Sequence, residues 1–597
     1  MKRFASGLLT AAFVAASLLA FAGTAVAAEP SLNGTVKDIN TGGVVPNVCV
    51  TIGPPIRCVT MTKADGTYFV DMTGAPNGIG WDVRFLLGGQ VKAEFLNVIV
   101  NGPTTVNANI DATGFPVAPP PAPPCAALRT DAAVSTNYLP NITKTLGGPT
   151  GFQTPFIVQN VGSGTTTLEV SWYRFSDGSC AKRLSVDRAA GTSYAYVPNN
   201  DPALSNDSQF AVVVRSFGAA IVSVVNEHQG VGARAEALSY DGFSAGAKNV
   251  FLPNITRRFC AGCRGGGTGF VTPFIMQNLG TTTATINVQF VERGSTAAPF
   301  NIAPVIVDPG KSKFVDPNST LGLQDGKAYA VTLTADQPIA VVVNTHDDAP
   351  TSQFPAAYSA DGISDSASTI YAPYLAKNTD GVARVSTVVV QNTGTAATTA
   401  SIKFTPLGGG TATTISLGSI GAGKSAAFDP RYTNGDIAQP LCGAVASTGC
   451  LADGEYTGEI SATAGGTLAA AVNVISNATA MGYTALTRAT TKFFLPNVTR
   501  TLGGATGWTT PILLQSTNAL TATLSWFRFS DGVLVNQQTV PLTAGAGVRV
   551  DPRTNPALTD DTQYAVVVNA AGSVVAVVVE LATGGDNAMI YEGFPAP

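Results

Sequence analysis

Short runs of alternating apolar and polar residues, broken by Gly, Pro, Asn and Asp, fill this chain from Leu32 onward, with no long helical period. Thr167-Leu168-Glu169-Val170-Ser171-Trp172-Tyr173 alternates as a half-buried strand does. Asp177-Gly178 and Asp531-Gly532 supply hairpin turns. Tyr564 to Val568 and Val574 to Val579 are too apolar for a strand with one wet face, so they predict central, buried strands. The fold class this predicts is all-β, a string of β-sandwich domains.

One block is written four times. Leu139-Pro140-Asn141-Ile142, Leu252-Pro253-Asn254-Ile255, Ala372-Pro373-Tyr374 and Leu495-Pro496-Asn497-Val498 open the copies, roughly 113 to 123 residues apart. Each goes on to an apolar strand ending Gln159-Asn160, Gln277-Asn278, Gln391-Asn392 or Gln515-Ser516, and most to an Asp-Pro turn (Asp316, Asp429, Asp551). The boundaries read as 137–248, 249–368, 369–491 and 492–597, with seven to nine strands in each. That size and strand density fit an immunoglobulin-like sandwich. Copies with their own turns and charges are expected to stand as separate beads.

Before the repeats, 1–27 reads as a secretory leader: Lys2 and Arg3, an apolar stretch from Leu8 to Phe21, and Ala25-Val26-Ala27 as the cleavage site. Residues 28–114 carry short strands with Gly and Pro turns, and 115–136 form a Pro-rich linker. The opening Gly34-Thr35-Val36, the middle Gly43-Val44-Val45-Pro46-Asn47-Val48 and the turn Thr62-Lys63-Ala64-Asp65-Gly66-Thr67-Tyr68 resemble the carboxypeptidase regulatory-like domain. The resemblance implies a prealbumin-like sandwich with no catalytic residues of its own. The repeats are similar to blocks found in exported bacterial proteins of unknown function, which implies fold and location only.

Charge is sparse. Lys and Arg number 34 against 38 Asp and Glu, a formal net charge of −4, and 12% of residues are charged. No basic patch argues for nucleic acid. After leader cleavage no membrane insertion is expected, because no apolar run is long enough to span. The eight cysteines fall into Cys49 with Cys58, Cys125 with Cys180, Cys260 with Cys263, and Cys442 with Cys450, an even count that predicts disulfides in an exported protein. Cys260-Ala261-Gly262-Cys263 lies in a Gly-rich loop rather than at a helix start, which argues for a staple and against a redox pair.

Candidate chemistry is thin. His228 and His346 occupy matching places in two copies only and read as strand-end residues. No nucleophile elbow, phosphate loop or metal-ligand cluster is visible, so no enzyme activity, metal or cofactor is expected. Trp172 with Arg174, and Trp526 with Arg528, alternate so that each Trp shares a strand face with an Arg. That face is a candidate sugar-stacking platform; otherwise each Trp is core. The leading expectation is a secreted, cell-surface or periplasmic bacterial protein of structural or adhesion type. Its expected partners are an extracellular protein, a glycan or another copy of itself; a carbohydrate-binding protein is the alternative.

Overall fold

The computed structural model describes residues 30–596 apart from 41, 54–57, 64, 73, 74, 76–78, 114, 116–124, 126, 231–233, 262–267, 348–355, 380–382 and 464. The leader and most of the Pro-rich linker therefore lie outside the described residues. The chain divides into two compact units, 1–123 and 124–597. Both are built of strands, with 3-10 turns such as Pro198–Asn200 and Pro552–Thr554. Among the described residues, no helix is long and apolar enough to cross a membrane.

The first unit is a pair of four-stranded sheets. One sets Thr67–Asp71 antiparallel to Ser31–Asp38, with Pro103–Thr105 and Ala108–Ile110 both parallel to Ser31–Asp38. The other runs Cys58–Met61, Cys49–Ile52, Gly80–Leu87, Gln90–Ile99, all antiparallel. Leu32, Val36, Val50, Tyr68, Val83 and Phe85 fill the space between them. A Cβ on Gly34 would lie 2.0 Å from the Val106 carbonyl oxygen, so the opening Gly is set by a close backbone approach. Cys49 and Cys58 join the neighbouring strands at a Cα separation of 5.3 Å.

In the second unit each repeat is a two-layered sandwich; its layers are separate four-stranded sheets in the first repeat and are linked into nine-, eight- and eight-stranded sheets in the other three. In the first repeat, Ser193–Tyr196, Phe156–Asn160, Ile221–Gln229 and Glu236–Asp241 make one sheet. Cys180–Arg188, Thr166–Arg174, Ser208–Ser216 and Ser135–Lys144 make the other. The same order recurs in the other three. In the second and fourth, the two Val-rich runs merge into single strands, Lys327–Asp347 and Thr562–Leu581, that serve both sheets. These runs are central and buried, as their composition predicts.

The repeat signatures have local physical causes. The Leu-Pro strand ends the sheet order in the first repeat and is paired on both sides in the third and fourth; Pro-Asn sits in a β-bulge where Pro's missing N–H costs no ladder bond. In three repeats a buried tyrosine closes that bulge: Tyr240, Tyr483 and Tyr591 donate to the carbonyls of Asn141, Tyr374 and Asn497, each at 2.7 Å. The Asn of Gln-Asn anchors the next loop. Asn278 donates to the Thr282 and Val307 carbonyls and accepts from the Gly280 N–H. The basic residue after each bulge, Lys144, Arg257, Lys377 or Arg500, donates to carbonyls of a facing loop.

The repeats do not stand apart as beads. Ile275 and Val342 of the second repeat complete the core of the first, and Leu513 and Val577 of the fourth complete that of the third. Ile157, Val222 and Val224 of the first repeat enter the core of the fourth. The bulged strand of each repeat packs on the next one's sheet, and that of the fourth packs on the first. The four sandwiches thus close into a ring, because the apolar outer face of each Val-rich sheet is buried only against a neighbour.

Candidate functional site at the junction of the repeats

One strand near the end of each repeat lines the junction: Glu236–Asp241, Ala357–Asp361, Ala480–Thr484 and Ala588–Glu592. Each touches two of the others, in the order first, second, third, fourth and back to first. Their matching positions are small at one end, where Ala237, Ala357, Ala480 and Ala588 are fully buried. Next come Ser239, Ser359, Gly482 and Ile590. At the other end stand Asp241, Asp361, Thr484 and Glu592. These alignments follow from the shared register with the neighbouring strand. Small side chains let four backbones approach. A Cβ on Gly482 would meet Tyr358 Cδ2 at 2.4 Å and the Ser359 carbonyl oxygen at 2.9 Å.

Carboxylates bind the repeats together here. At the alanine end, Asp586 has no exposed surface. Its Oδ2 accepts from the Ala357 N–H at 2.8 Å and its Oδ1 from the Ala480 N–H at 2.7 Å, so one side chain ties the fourth repeat to the second and third. Glu227 accepts from Asn141 of its own repeat and Asn344 of the second, at 3.0 and 2.9 Å. Glu580 accepts from Asn497 of its own repeat and Asn226 of the first, both at 2.9 Å. Burial disfavours the charged form and pushes both Glu227 and Glu580 up to about 8.

At the opposite end, one oxygen each of Asp241, Asp361 and Glu592 lie within 4.8 Å of one another. The Asp241 N–H donates to Asp361 at 3.4 Å, and the Thr484 N–H donates to Glu592. Glu592 gives its own N–H to Asp241. The Thr484 hydroxyl completes the circle on the Asp361 carbonyl at 3.0 Å. Burial and mutual repulsion hold the Asp241 and Asp361 carboxyls well above the usual range, and burial pushes Glu592 up to about 7. Among the described residues, no Lys, Arg or His pairs with any of the three.

The residues singled out by sequence fall elsewhere. Trp172 and Trp526 have no exposed surface and pack on Tyr196 and Tyr564 inside their own sandwiches. This corrects the sugar-platform expectation: a ring needs an open face to stack a sugar, and neither has one. Arg174 bonds Ser179 and Arg528 pairs with Asp531, both in the hairpin. His228 lies at the junction of the first and fourth repeats, edge-on to Trp508 with ring centroids 5.5 Å apart, and burial pushes its imidazole down to about 4. His346 ends the second repeat's long strand, beside Ala357. Cys125 pairs with Cys180 and Cys442 with Cys450, at Cα separations of 5.9 and 5.6 Å. Cys260 is disulfide-bonded; Cys263 lies outside the described residues.

The junction acids went unread in the sequence. A signal was present: Tyr240-Asp241-Gly242-Phe243 and Tyr591-Glu592-Gly593-Phe594 each set an acid in an apolar run.

No family model matches the chain. No curated protein matches it either. The crystal structure of Thermotoga maritima 1070 aligns with 20% of this chain and 96% of its own, at 19% identity and a TM-score of 0.17. That of a variant of BcpA, the major pilin subunit of Bacillus cereus, aligns with 54% of this chain and 88% of its own, at 9% identity and a TM-score of 0.11. Scores this low carry no argument about what this chain does.

Proposed function

We propose that this is an exported, non-enzymatic protein of the bacterial cell surface or extracellular matrix, in which 124–597 is a self-contained structural block carrying the smaller N-terminal sandwich. The observation that carries this reading is the use made of the buried polar side chains. Glu227, Glu580 and Asp586 spend their oxygens on amides of neighbouring repeats. That is the chemistry of assembly rather than of turnover. The disulfides suit an oxidising compartment. Adhesion to an extracellular protein or glycan, or pairing with a second copy, is the partner class we assign to such a block.

Protease shaving of intact cells, with medium and periplasm probed for the mature chain, tests the proposal. Removal by shaving, or recovery from the medium, is the expected result. A chain fully protected in the periplasm would replace surface display with a periplasmic scaffolding role. A chain retained in the cytoplasm would overturn the reading.

A further inference from the structure

We propose that the carboxylate end of the junction is a site for one hard divalent cation of the calcium class, held by Asp241, Asp361 and Glu592 and closing the ring of repeats. The argument begins with geometry. Calcium takes oxygen ligands at about 2.3–2.6 Å, so two ligands on opposite sides of one ion lie about 4.6–5.2 Å apart. Three carboxylate oxygens mutually within 4.8 Å fit round one such ion.

A second observation points the same way. Asp241, a member of this cluster, keeps its Oδ1 shut off from solvent with no hydrogen-bond partner. The other junction acids differ. Glu227 and Glu580 each take two amide N–H groups, and Asp586 takes two backbone N–H groups. A carboxylate oxygen left buried without a donor is costly, and two further carboxylates close by with no basic residue among them add to that cost. A divalent ion neutralises two of the charges. The N–H groups of Asp241, Thr484 and Glu592 already point at the carboxylates and hold the remainder. The ligands come from three repeats, so the ion links the second repeat to both the first and the fourth. The inference does not depend on where the chain resides.

The probe is calcium itself, with terbium as a luminescent substitute. Tyr240, Tyr483 and Tyr591 lie close enough to the cluster to interact with its charges and to sensitise terbium. Metal-free full-length chain at pH 8 should show terbium luminescence on tyrosine excitation, displaced by ~1–5 mM calcium, and a higher Tm with calcium than with chelator. Asp361→Asn should lose both effects while unfolding in chelator no earlier than the wild type, since a neutral amide relieves the repulsion. Affinity should fall as pH drops from 8 to 5, because protons compete for the same oxygens. No response to either metal would overturn the proposal, leaving protons as the neutralising charge. So would a response that persists in both Asp361→Asn and Glu592→Gln, which would place the ion elsewhere.

Discussion

Glu580 in the fourth repeat accepts a hydrogen bond at 2.9 Å from Asn226 in the first, 354 positions earlier. Glu227 repeats the arrangement with Asn344 of the second repeat, also at 2.9 Å. The contact joining neighbours in the chain is therefore the one joining its two ends. A row of four beads has a free face at either end; here the last repeat meets the first through the same strand positions and the same chemistry. The acid is Thr345 in the second repeat and Val474 in the third, where the sheets meet through apolar packing and glutamines instead.

These two glutamates predict a pH dependence. A free Glu titrates near 4.3, and in the fold both are raised to about 8. A raised pKa means the folded chain holds the proton more tightly. The stability from this source is therefore complete below about pH 4.3, declines as pH rises toward about 8, and is flat beyond. The variants should differ. Both amides on Glu227 bond Oε2, so Glu227→Gln keeps both contacts and should fall less in Tm between pH 5 and 8. The amides on Glu580 are split between Oε1 and Oε2, so Glu580→Gln should lose one and lower Tm at pH 5. Calorimetry decides; parallel profiles for wild type and Glu227→Gln would refute the assignment.

Asp586 predicts a local effect at a distance. Replacing it by Ala leaves the Ala357 and Ala480 N–H groups buried without acceptors, at a cost on the order of 3 kcal/mol. Hydrogen exchange should quicken at those two amides, which lie 229 and 106 positions away. Acceleration confined to the loop around Asp586 would show that the carboxylate does not bridge the repeats.

The burial of Trp526 predicts a stability effect without a binding effect. Its side chain is enclosed by the core of the fourth repeat, so Trp526→Ala should cost about 3–5 kcal/mol. Thermal unfolding measures this. Retention on glycan columns by the still-folded variant should match the wild type, and a selective loss of retention would restore the sugar platform.

The sandwiches were legible because their signals are local. Alternation, Asp-Gly turns and Val-rich central runs each act over a few residues, and the structure places each as read. Cys125 with Cys180 and Cys442 with Cys450 followed from an even count and nearness. Ring closure was not legible, because its determinants are ordinary within their own repeat. Glu227 meets Asn344 from 117 positions away, and nothing next to Asp241 in the chain shows that Asp361 and Glu592 stand beside it. The copies have also drifted at the junction, where Asp, Asp, Thr and Glu hide a shared position. The tryptophans misled for a related reason: strand alternation assigns a face, and only the second sheet decides whether that face is wet.

Gly482 gives the sharpest test of the packed junction. Seen within its own strand it is a weak link, since a strand glycine has no side chain to pack and Ala would ordinarily be the better residue. Seen in the ring it is where the third repeat's backbone meets the second, with Tyr358 and the Ser359 carbonyl in the way of any Cβ. Tyr358 is buried and Ser359 belongs to a paired strand, so neither yields cheaply. Gly482→Ala should therefore destabilise the chain, by about 1–3 kcal/mol of overpacking. Gly443, with nothing within 4 Å of its would-be Cβ, is the control, and Gly443→Ala should be neutral. If Gly482→Ala unfolds at the same temperature as Gly443→Ala, the second and third repeats do not pack this closely, and the beaded chain returns as the better description.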